Sequence, residues 1–167
     1  MRTHTVIDSP VGPLTLVADG GHLTGLYMVG QRHRPGEETF GGPGDPGEEP
    51  FASAAGQLRA YFAGERTGFD LPLRLEGTDF QRRVWAGLLE IPYGETVSYG
   101  ELAERIGSPA ASRAVGLANG KNPVGIIVPC HRVVGADGSM TGYGGGIGRK
   151  RYLLGFEAGA EVEAALF

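Results

Sequence analysis

The sequence is most informative at residues 124–132, which read Val-Gly-Ile-Ile-Val-Pro-Cys-His-Arg. The apolar run over 124–128 is typical of a short buried strand, and Pro129 ends it because proline fixes φ and has no N–H to donate. Cys130 is the only cysteine among 167 residues, so it has no partner for an intramolecular disulfide or a multi-cysteine zinc site. Two interpretations follow for this side chain, a packed core residue or a reactive thiol.

The residues next to this cysteine favour the reactive thiol. His131 and Arg132 are costly to bury in an inert core. A thiol between an apolar strand and basic groups is placed where a thiolate is stabilised and becomes nucleophilic. His131 is a candidate to take the thiol proton, directly or through a water, and Glu157, at the end of an apolar helix face, is a candidate to orient the imidazole. Together these residues predict a nucleophilic site.

The first part of the chain reads as strands followed by one helix. Three runs separated by turn residues predict a small antiparallel sheet, at residues 5–7, 14–18 and 23–29. Residues 31–50 repeat Gly and Pro with five acidic side chains, a composition that buries too little apolar surface to order strongly, so we predict a loop or a mobile insertion. Apolar residues at helical spacing predict a helix over 51–62 that ends at Gly64, and residues 71–75 read as a further strand.

The second part reads as helical. Thr78 is a good N-cap with Gln81 three residues on, and the helix it begins is stopped by Ile-Pro-Tyr-Gly at 91–94. Two short helices follow, over 98–106 and 110–118. Ser108 is predicted to cap the second of them with Pro109 in its first turn. Two short helices joined by a Gly-containing turn have the outline of a helix-turn-helix, which generic helix pairs share.

These elements predict an α+β fold of two domains. Residues 1–76 form a small sheet-and-helix domain that includes the acidic loop 31–50. Residues 77–167 form a mostly helical domain that carries the helix-turn-helix, the cysteine and a last helix over 152–157. With 41% apolar and 20% charged residues the chain has the material for a globular core. It has no apolar run of membrane-spanning length and no secretion signal at its start, so we expect a cytoplasmic protein.

Charge is distributed unevenly along the chain. The formal net charge is -4, yet between Arg105 and Arg151 seven Lys and Arg side chains are opposed only by Asp137. The acidic excess lies in residues 1–78 and in the tail, which carries Glu161 and Glu163. A cationic segment suits a polyanion-binding surface because its side chains displace counterions condensed on phosphates. A solvated face balanced by acids elsewhere in the fold is an equally good interpretation.

Several motifs between Asp79 and Glu157 resemble those of the O6-alkylguanine-DNA alkyltransferases. They are Pro-Cys-His-Arg at 129–132 after Asn-Pro at 122–123, Gly-Tyr-Gly-Gly-Gly at 142–146, Arg-Lys at 149–150, Leu-Leu at 153–154, and the runs 78–85 and 91–100. Over residues 1–75 the resemblance is at the level of the fold. It implies a ribonuclease H-like N-terminal domain and a helix-turn-helix of the winged-helix type.

The resemblance implies DNA repair by a suicide reaction. An O6-alkylguanine, mainly O6-methylguanine, is flipped out of duplex DNA, and its alkyl group is transferred irreversibly and stoichiometrically to Cys130. His131, a bridging water and Glu157 are implied to form the relay that yields the thiolate. Asn122 is implied to tie the helix-turn-helix to the active-site strand. Tyr99 is implied to rotate the phosphate on the 3′ side of the target and to bond the guanine ring nitrogen.

The same resemblance assigns the DNA contacts and the pocket. Arg113 matches the finger that enters from the minor groove and fills the gap left by the extruded nucleotide. The other implied contacts to DNA are Ser98, Tyr99, Ala111 and Ser112, and the implied lining of the alkylguanine pocket is Pro129, Val133, Tyr143 and Gly144. No cofactor is implied. The implied partner is double-stranded DNA containing O6-alkylguanine, bound by a monomer; cooperative assembly on DNA and activity on O4-alkylthymine stay open.

Three features depart from the family pattern. Gly144 stands where many relatives have a side chain, so we expect a wider pocket entrance that admits larger alkyl groups. Ser112 stands where a small apolar residue is common, which adds a polar group beside the minor groove. The N-terminal half lacks the Cys and His ligands with which some relatives hold a structural zinc, so no metal is expected.

Three other functions are weighed against alkyl transfer. A non-enzymatic lesion-binding protein of the alkyltransferase-like group is disfavoured by Cys130, because that group has another residue, usually Trp, at this position. A cysteine hydrolase or acyltransferase normally brings its His from a distant part of the chain and needs an oxyanion hole, which fits an adjacent His131 poorly. A plain helix-turn-helix DNA binder leaves the surroundings of Cys130 unexplained.

Overall fold

The computed structural model describes residues 1–140 and 142–159, so Glu161 and Glu163 lie outside the described residues. The N-terminal part is a four-stranded sheet in the order β3-β2-β1-β4. Its strands are β1 (Arg2–Ile7), β2 (Leu14–Asp19), β3 (His22–Met28) and β4 (Gly42–Pro43). The first three strands pair in antiparallel fashion and confirm the predicted sheet, whereas β4 adds to β1 in parallel.

The acidic segment 31–50 is more ordered than its composition indicates. It contains a 3-10 turn at Glu37–Thr39 and the short strand β4. Phe40 is buried and stacks on Tyr27 with ring centroids 5.3 Å apart, while the Arg34 guanidinium carbon lies 5.2 Å from the Phe40 ring centroid. The buried Phe40 side chain and the two residues of β4 that pair with β1 therefore order this segment, although its average composition predicts a loop.

Helix α1 (Phe51–Phe62) follows and confirms the predicted helix. It buries Phe51, Ala54, Ala55, Leu58 and Tyr61 along one face. The predicted strand over 71–75 is wrong, because only Leu73 pairs, in a single parallel bridge to Leu23. Pro72 explains the difference: it accepts a hydrogen bond from the Leu23 N–H at 2.8 Å but has no N–H with which to extend a ladder.

The C-terminal part contains four helices and a two-stranded sheet within the described residues. The elements are α2 (Asp79–Leu89), β5 (Val97–Ser98), α3 (Tyr99–Arg105), α4 (Ser112–Gly120), β6 (Val133–Val134) and α5 (Ile147–Glu157). The predicted capping box is confirmed, since the Gln81 N–H donates to Thr78 Oγ1 at 3.1 Å and the Thr78 N–H donates to Gln81 Oε1 at 3.0 Å. These reciprocal bonds satisfy two N–H groups at the start of α2.

Helices α3 and α4 form the predicted helix pair, but the second begins later than predicted. Its N-cap is Ala111, which makes no side-chain cap, so the prediction that Ser108 caps it is wrong. The Ser108 hydroxyl instead accepts a hydrogen bond from Arg83 Nη2 at 2.6 Å, because residues 108–111 complete a separate turn first. Trp85 Nε1 donates to the Ala118 carbonyl at 2.9 Å and fixes α4 against α2.

The segment 124–128 is buried as predicted, but it is not a strand. Only Val124 forms a bridge, in parallel to Leu26, and the chain then turns through Ile126 at a φ of 69°. The Val128 N–H returns to the Val124 carbonyl at 3.0 Å, so the hydrogen bonds that a strand would offer to a neighbour are used within the turn. The turn leads into a 3-10 turn at Cys130–Arg132 and then into β6, which pairs in parallel with β5.

A single large hydrophobic cluster joins both parts of the chain. It extends from Leu14 in the sheet, through Trp85 in α2, to Leu153 in α5 and includes Cys130. Residues 124–132, the candidate active-site turn, therefore lie where the two parts meet. In the described part of the chain, no helix combines the length and the apolar character needed to cross a membrane.

Candidate active site

Cys130 lies at the start of the 3-10 turn, 7% exposed, beside a small cavity. The other lining residues are Gln31, Asn119, Gly120, Asn122, Gly125, Tyr143, Gly144 and Gly145. The cavity has a volume of about 10 Å³, which is room for roughly one water molecule. A guanine base needs far more space, so the surrounding loops must move before Cys130 meets a substrate of that size.

The thiol of Cys130 is not held as a stable thiolate. Burial raises its pKa, while the side-chain amide of Asn122 and the positive charge of Lys150 act in the opposite direction without cancelling that effect. This differs from the expectation that the basic groups around this cysteine stabilise a thiolate, and it leaves the predicted role of His131 as the proton acceptor. If Cys130 acts as a nucleophile, it needs a neighbouring base to take its proton, and His131 is the candidate base.

That base has a fully buried position next to an ion pair. His131 Nε2 lies 2.8 Å from Glu157 Oε2. Glu157 Oε1 accepts from Arg132 Nε at 2.8 Å, and Oε2 accepts from Arg132 Nη2 at 2.9 Å, in the forked geometry typical of Arg and carboxylate. Burial alone raises the pKa of Glu157, but the hydrogen bonds from His131, Arg132 and Tyr61 outweigh it and hold that pKa well below its usual range. Glu157 is therefore charged.

His131 is uncharged in this setting. Burial lowers its pKa, and the opposing effect of the Glu157 carboxylate does not overcome that cause. Because a carboxylate only accepts hydrogen bonds, the imidazole proton belongs on Nε2, which leaves the lone pair on Nδ1. Nδ1 is buried and has no hydrogen-bond partner among the described residues. The ring therefore presents a proton acceptor that is not committed elsewhere in the described structure.

Asn122 holds the turn that leads to the cysteine. Its side-chain Nδ2 donates to the Val128 carbonyl at 2.7 Å, and its Oδ1 accepts from the Val124 N–H at 3.0 Å. The side chain is buried, so the Val124 N–H depends on it rather than on solvent, while the Val128 carbonyl also accepts from the Cys130 N–H at 2.8 Å. This places the amide between the end of α4 and the active-site turn, where a hinge asparagine is expected.

Replacing Asn122 with alanine leaves the Val124 N–H without a partner inside the protein, whereas the Val128 carbonyl keeps the hydrogen bond from the Cys130 N–H. We expect the free energy of unfolding to fall by about 1 to 3 kcal/mol, the cost of one buried donor left unpaired. Urea unfolding measures this. The matched control is Gln57→Ala, which removes two similar amide bonds, to the Asp70 carbonyl and N–H, at an exposed site. Equal losses in both variants contradict the hinge role.

The predicted DNA-contacting residues lie around the start of α3 and α4. Arg113 and Ser112 are exposed on α4, and Arg113 makes no hydrogen bond or ion pair with the described residues. Ala111 is the half-buried N-cap of α4. The hydroxyl of Ser98 accepts from the Glu101 N–H at 3.1 Å and caps α3. Ser98 thus stabilises the start of α3, whereas Arg113 is exposed on the surface.

Tyr99, the first residue of α3, is half-buried between α4 and the glycine-rich loop. A Cβ at Gly116 would lie 3.7 Å from its ring, and a Cβ at Gly142 would lie 3.1 Å from its hydroxyl. Gly142 also has a φ of 66°, so both space and conformation favour glycine there. Tyr99 does not line the cavity beside Cys130 in this closed arrangement.

The predicted pocket residues divide into two pairs. Tyr143 and Gly144 line the cavity beside Cys130. Pro129 instead lines a second cavity of about 210 Å³ near Phe69 and Leu73, and the buried Val133 belongs to β6. Pro129 and Val133 therefore do not line the cavity beside Cys130.

The space next to Gly144 is not open. The Arg32 N–H donates to the Gly144 carbonyl at 2.7 Å, and a Cβ at Gly144 would lie 3.4 Å from the Arg32 carbonyl and 3.7 Å from Gln31 Cγ. The expectation of a wider entrance thus differs from this structure, because a loop of the N-terminal part occupies that space. Gln31 is a cavity residue that the sequence analysis missed.

The cationic segment is partly internal. Arg132 pairs with Glu157, Lys150 Nζ donates to the Val133 carbonyl at 2.5 Å, and Arg149 donates to the Val29 carbonyl at 2.7 Å. The cations of this segment that stay exposed are Arg105, Arg113, Lys121 and Arg151. The surface available to a polyanion is therefore smaller than the charge count along the sequence indicates.

Lys150 is a second missed residue. It is fully buried on α5, and burial lowers its pKa to about 8. A signal exists in the sequence, because Lys150 precedes Leu153 by three residues and Glu157 by seven, which places all three on one helix face. Tyr61, which donates to Glu157 from the N-terminal part, gives no comparable signal because 96 residues separate the two.

Both parts of the chain match families of known function. Residues 3–75 match the ribonuclease-like domain of 6-O-methylguanine DNA methyltransferase, and residues 79–159 match the DNA binding domain of 6-O-methylguanine DNA methyltransferase. The matches together span most of the chain.

Relatives extend over the whole chain. A methylated-DNA–protein-cysteine methyltransferase of Mycobacterium tuberculosis is 59% identical over 168 residues, covering 100% of this chain and 99% of the relative. A methylated-DNA–protein-cysteine methyltransferase of Methanosarcina acetivorans is 49% identical over 155 residues, covering 92% of this chain and 97% of the relative. The crystal structure of Mycobacterium tuberculosis OGT in complex with DNA has a TM-score of 0.87 at 58% identity, covering 96% of each chain.

Proposed function

The chain belongs to the 6-O-methylguanine DNA methyltransferase family, and from this premise we propose that Cys130 is the residue that accepts the alkyl group. The protein repairs DNA by alkyl transfer from the damaged base to a protein cysteine. The observation that supports Cys130 most directly is its place between a closed cavity and the buried His131–Glu157 pair. Incubation with an O6-methylguanine duplex and measurement of the intact mass test the proposal: one methyl group per protein molecule is expected, without turnover.

The proposed reaction needs no cofactor. His131 Nδ1 takes the thiol proton through one bridging water, and Glu157 holds the imidazole in the required tautomer. The sulfur of Cys130 forms a bond to the alkyl carbon while the bond between that carbon and O6 breaks, and its electron pair stays on the guanine. The guanine then gains a proton, for which Tyr99 is the proposed donor, so protons balance. The product is a thioether, which water does not hydrolyse, and each molecule acts once.

The proposed mode of DNA engagement is base flipping. An alkylated O6 lies inside the base stack, so the nucleotide must leave the duplex to reach Cys130. Arg113 is proposed to fill the gap, supported by its exposure on α4 and its lack of partners among the described residues. Ala111 and Ser112 adjoin it, and the exposed cations Arg105 and Lys121 are proposed to meet phosphates.

Replacing Arg113 with alanine is expected to slow repair within duplex DNA by about 10- to 100-fold, since extruding a base costs a few kcal/mol and each 1.4 kcal/mol is tenfold. Reaction with free O6-benzylguanine needs no extrusion and should be unchanged. Single-turnover rates on both substrates measure the effect.

The matched control for the finger is Lys121→Ala, which removes one exposed cation from the other end of α4. Its expected effect on the duplex reaction is weaker binding at low salt, with a smaller salt dependence than the unaltered protein and little change in rate at saturating DNA. An Arg113 variant that loses activity equally on duplex and free base argues against the finger.

The remaining assignments belong to the same proposal. Residues 1–76 and 77–167 are proposed as two domains, consistent with separate family matches that meet between 75 and 79. The substrate partner is double-stranded DNA containing O6-alkylguanine. A cytoplasmic location is proposed for a repair protein that must reach the DNA, and a monomer is the proposed reacting species. Tyr143 and Gly144 are proposed to contact the alkylated base once the cavity opens.

A further inference from the structure

The carboxylate of Glu157 receives a hydrogen bond from outside the active-site part of the chain. The Tyr61 hydroxyl, on α1 of the N-terminal part, donates to Glu157 Oε2 at 2.6 Å. His131 Nε2 approaches the same oxygen at 2.8 Å. Both the phenol and the imidazole are fully buried, so neither contact is shared with bulk solvent. A side chain 70 residues before His131 thus touches the atom that orients it.

The Tyr61 ring is fixed by its neighbours. Four aromatic rings surround it, with centroid distances of 5.0 Å to Phe62, 5.4 Å to Phe69, 5.7 Å to Phe156 and 6.1 Å to Tyr93. Within this packing the hydroxyl bonds to Glu157. Burial, together with the Glu157 charge, raises the pKa of Tyr61 far above its usual value, so the phenol keeps its proton and is a permanent donor.

We propose that Tyr61 is a positioning residue for alkyl transfer: its hydroxyl draws on the negative charge of Glu157 and so keeps His131 uncharged and able to accept the Cys130 proton. This inference rests on the proposed function, and it adds the N-terminal part of the chain to the relay. Tyr61 touches neither the sulfur nor the cavity and acts only through Glu157.

The direction in which the Tyr61 hydroxyl changes the pKa of His131 follows from the charged and titratable groups that face His131. Glu157 and Lys150 face it from α5, Arg132 and Cys130 adjoin it in the turn, and Tyr61 acts from α1.

Tyr93, between α2 and β5, adjoins this group through the Arg132 guanidinium, 5.6 Å from its ring, but its own hydroxyl makes no hydrogen bond with the described residues. Arg132 and Tyr61 both donate hydrogen bonds to the Glu157 carboxylate, so less of its negative charge is left to stabilise a protonated His131. Removing the Tyr61 hydroxyl leaves Glu157 a stronger acceptor for the imidazolium. The pKa of His131 should therefore rise.

The experiment compares Tyr61→Phe with the unaltered protein by two readouts. The first is the ring ¹⁵N titration of His131 by NMR, with the signal identified by its loss in His131→Asn. The second is the single-turnover rate with an O6-methylguanine duplex from about pH 5 to pH 9, whose acid limb reports protonation of the base in the free protein. The matched control is Tyr93→Phe, a hydroxyl deletion in the same aromatic cluster.

For Tyr61→Phe we expect the midpoint of the His131 titration and the acid limb of the rate profile to move together to higher pH, by about half to one unit. At pH values well below that midpoint, transfer should then be about three- to tenfold slower than in the unaltered protein. At high pH the two rates should converge, and Tyr93→Phe should resemble the unaltered protein. A lower melting temperature with an unmoved titration would overturn the proposal and leave Tyr61 a structural contact. Failure of the unaltered protein to accept a methyl group instead refutes the proposed function, since the NMR titration reads His131 without any reaction.

Discussion

Replacing Cys130 with alanine is expected to abolish alkyl transfer completely while leaving binding to duplex DNA nearly intact. In the proposed reaction the sulfur is the atom that bonds to the alkyl carbon, and the chain contains no second cysteine to substitute for it. The loss of binding should be small because the exposed cations and Arg113 lie on other elements. Intact-mass spectrometry before and after incubation with an O6-methylguanine duplex measures transfer, and a gel or anisotropy titration measures binding.

The matched variant is Cys130→Ser, which keeps the size of the side chain but replaces the thiol with a far weaker acid. It should also fail to accept the alkyl group, because His131 cannot generate the alkoxide. Peptide mapping of the unaltered protein should place the methyl group on Cys130. A methyl group on another residue, or loss of folding in both variants, contradicts the assignment and makes this a mainly structural cysteine.

Replacing Glu157 with glutamine should destabilise the protein strongly and slow transfer. The Arg132 guanidinium is only 6% exposed and makes two of its hydrogen bonds to this carboxylate, so the variant leaves a buried positive charge without its counter-ion. Removing one partner of a buried ion pair costs about 3 to 5 kcal/mol. Denaturant unfolding near neutral pH measures the loss. The control is Glu76→Gln, which breaks the exposed pair with Arg2 and should cost less than about 1 kcal/mol.

The effect of Glu157 on stability should depend on pH with a definite sign. Its pKa is lowered in the folded protein from an ordinary value of 4.5, so the folded state binds fewer protons than the unfolded state as pH falls below that value. The contribution is fully present above pH 4.5 and is lost progressively on acidification. The difference in stability between the unaltered protein and Glu157→Gln should therefore shrink in acid. A difference that is constant from neutral pH down to strong acid contradicts a charged, buried Glu157.

Much of the architecture could be predicted because local signals and the fold agree. The capping residues of α2, the Gly64 ending of α1 and the turn residues around β2 each specify one local conformation, and each is confirmed. The family could be predicted as well, since the motif around Cys130 is specific. A motif lists the residue types, however, and does not report how they contact one another.

What the sequence did not reveal depends on side-chain contacts that composition and periodicity do not report, some of them distant in the chain. Residues 124–128 have a strand composition, but the side chain of Asn122 takes the backbone groups at both ends and a turn results. Gln31 reaches the cavity and Tyr61 reaches Glu157 only because α1 and the sheet pack against the active-site turn. Neither position stands out in its own neighbourhood, so no periodicity or local motif identifies it.

The burial of Cys130 affects how the thiol reacts with small molecules before the protein binds damaged DNA. A protein that is consumed by one reaction is also wasted by any competing one, and oxidation or alkylation by small molecules attacks exposed thiolates first. Here the sulfur faces a space of about 10 Å³ and burial raises its pKa, so the idle molecule offers little thiolate and little access. The residues that line this cavity, which must move to admit a damaged base, thus also protect the thiol of unreacted protein molecules from side reactions.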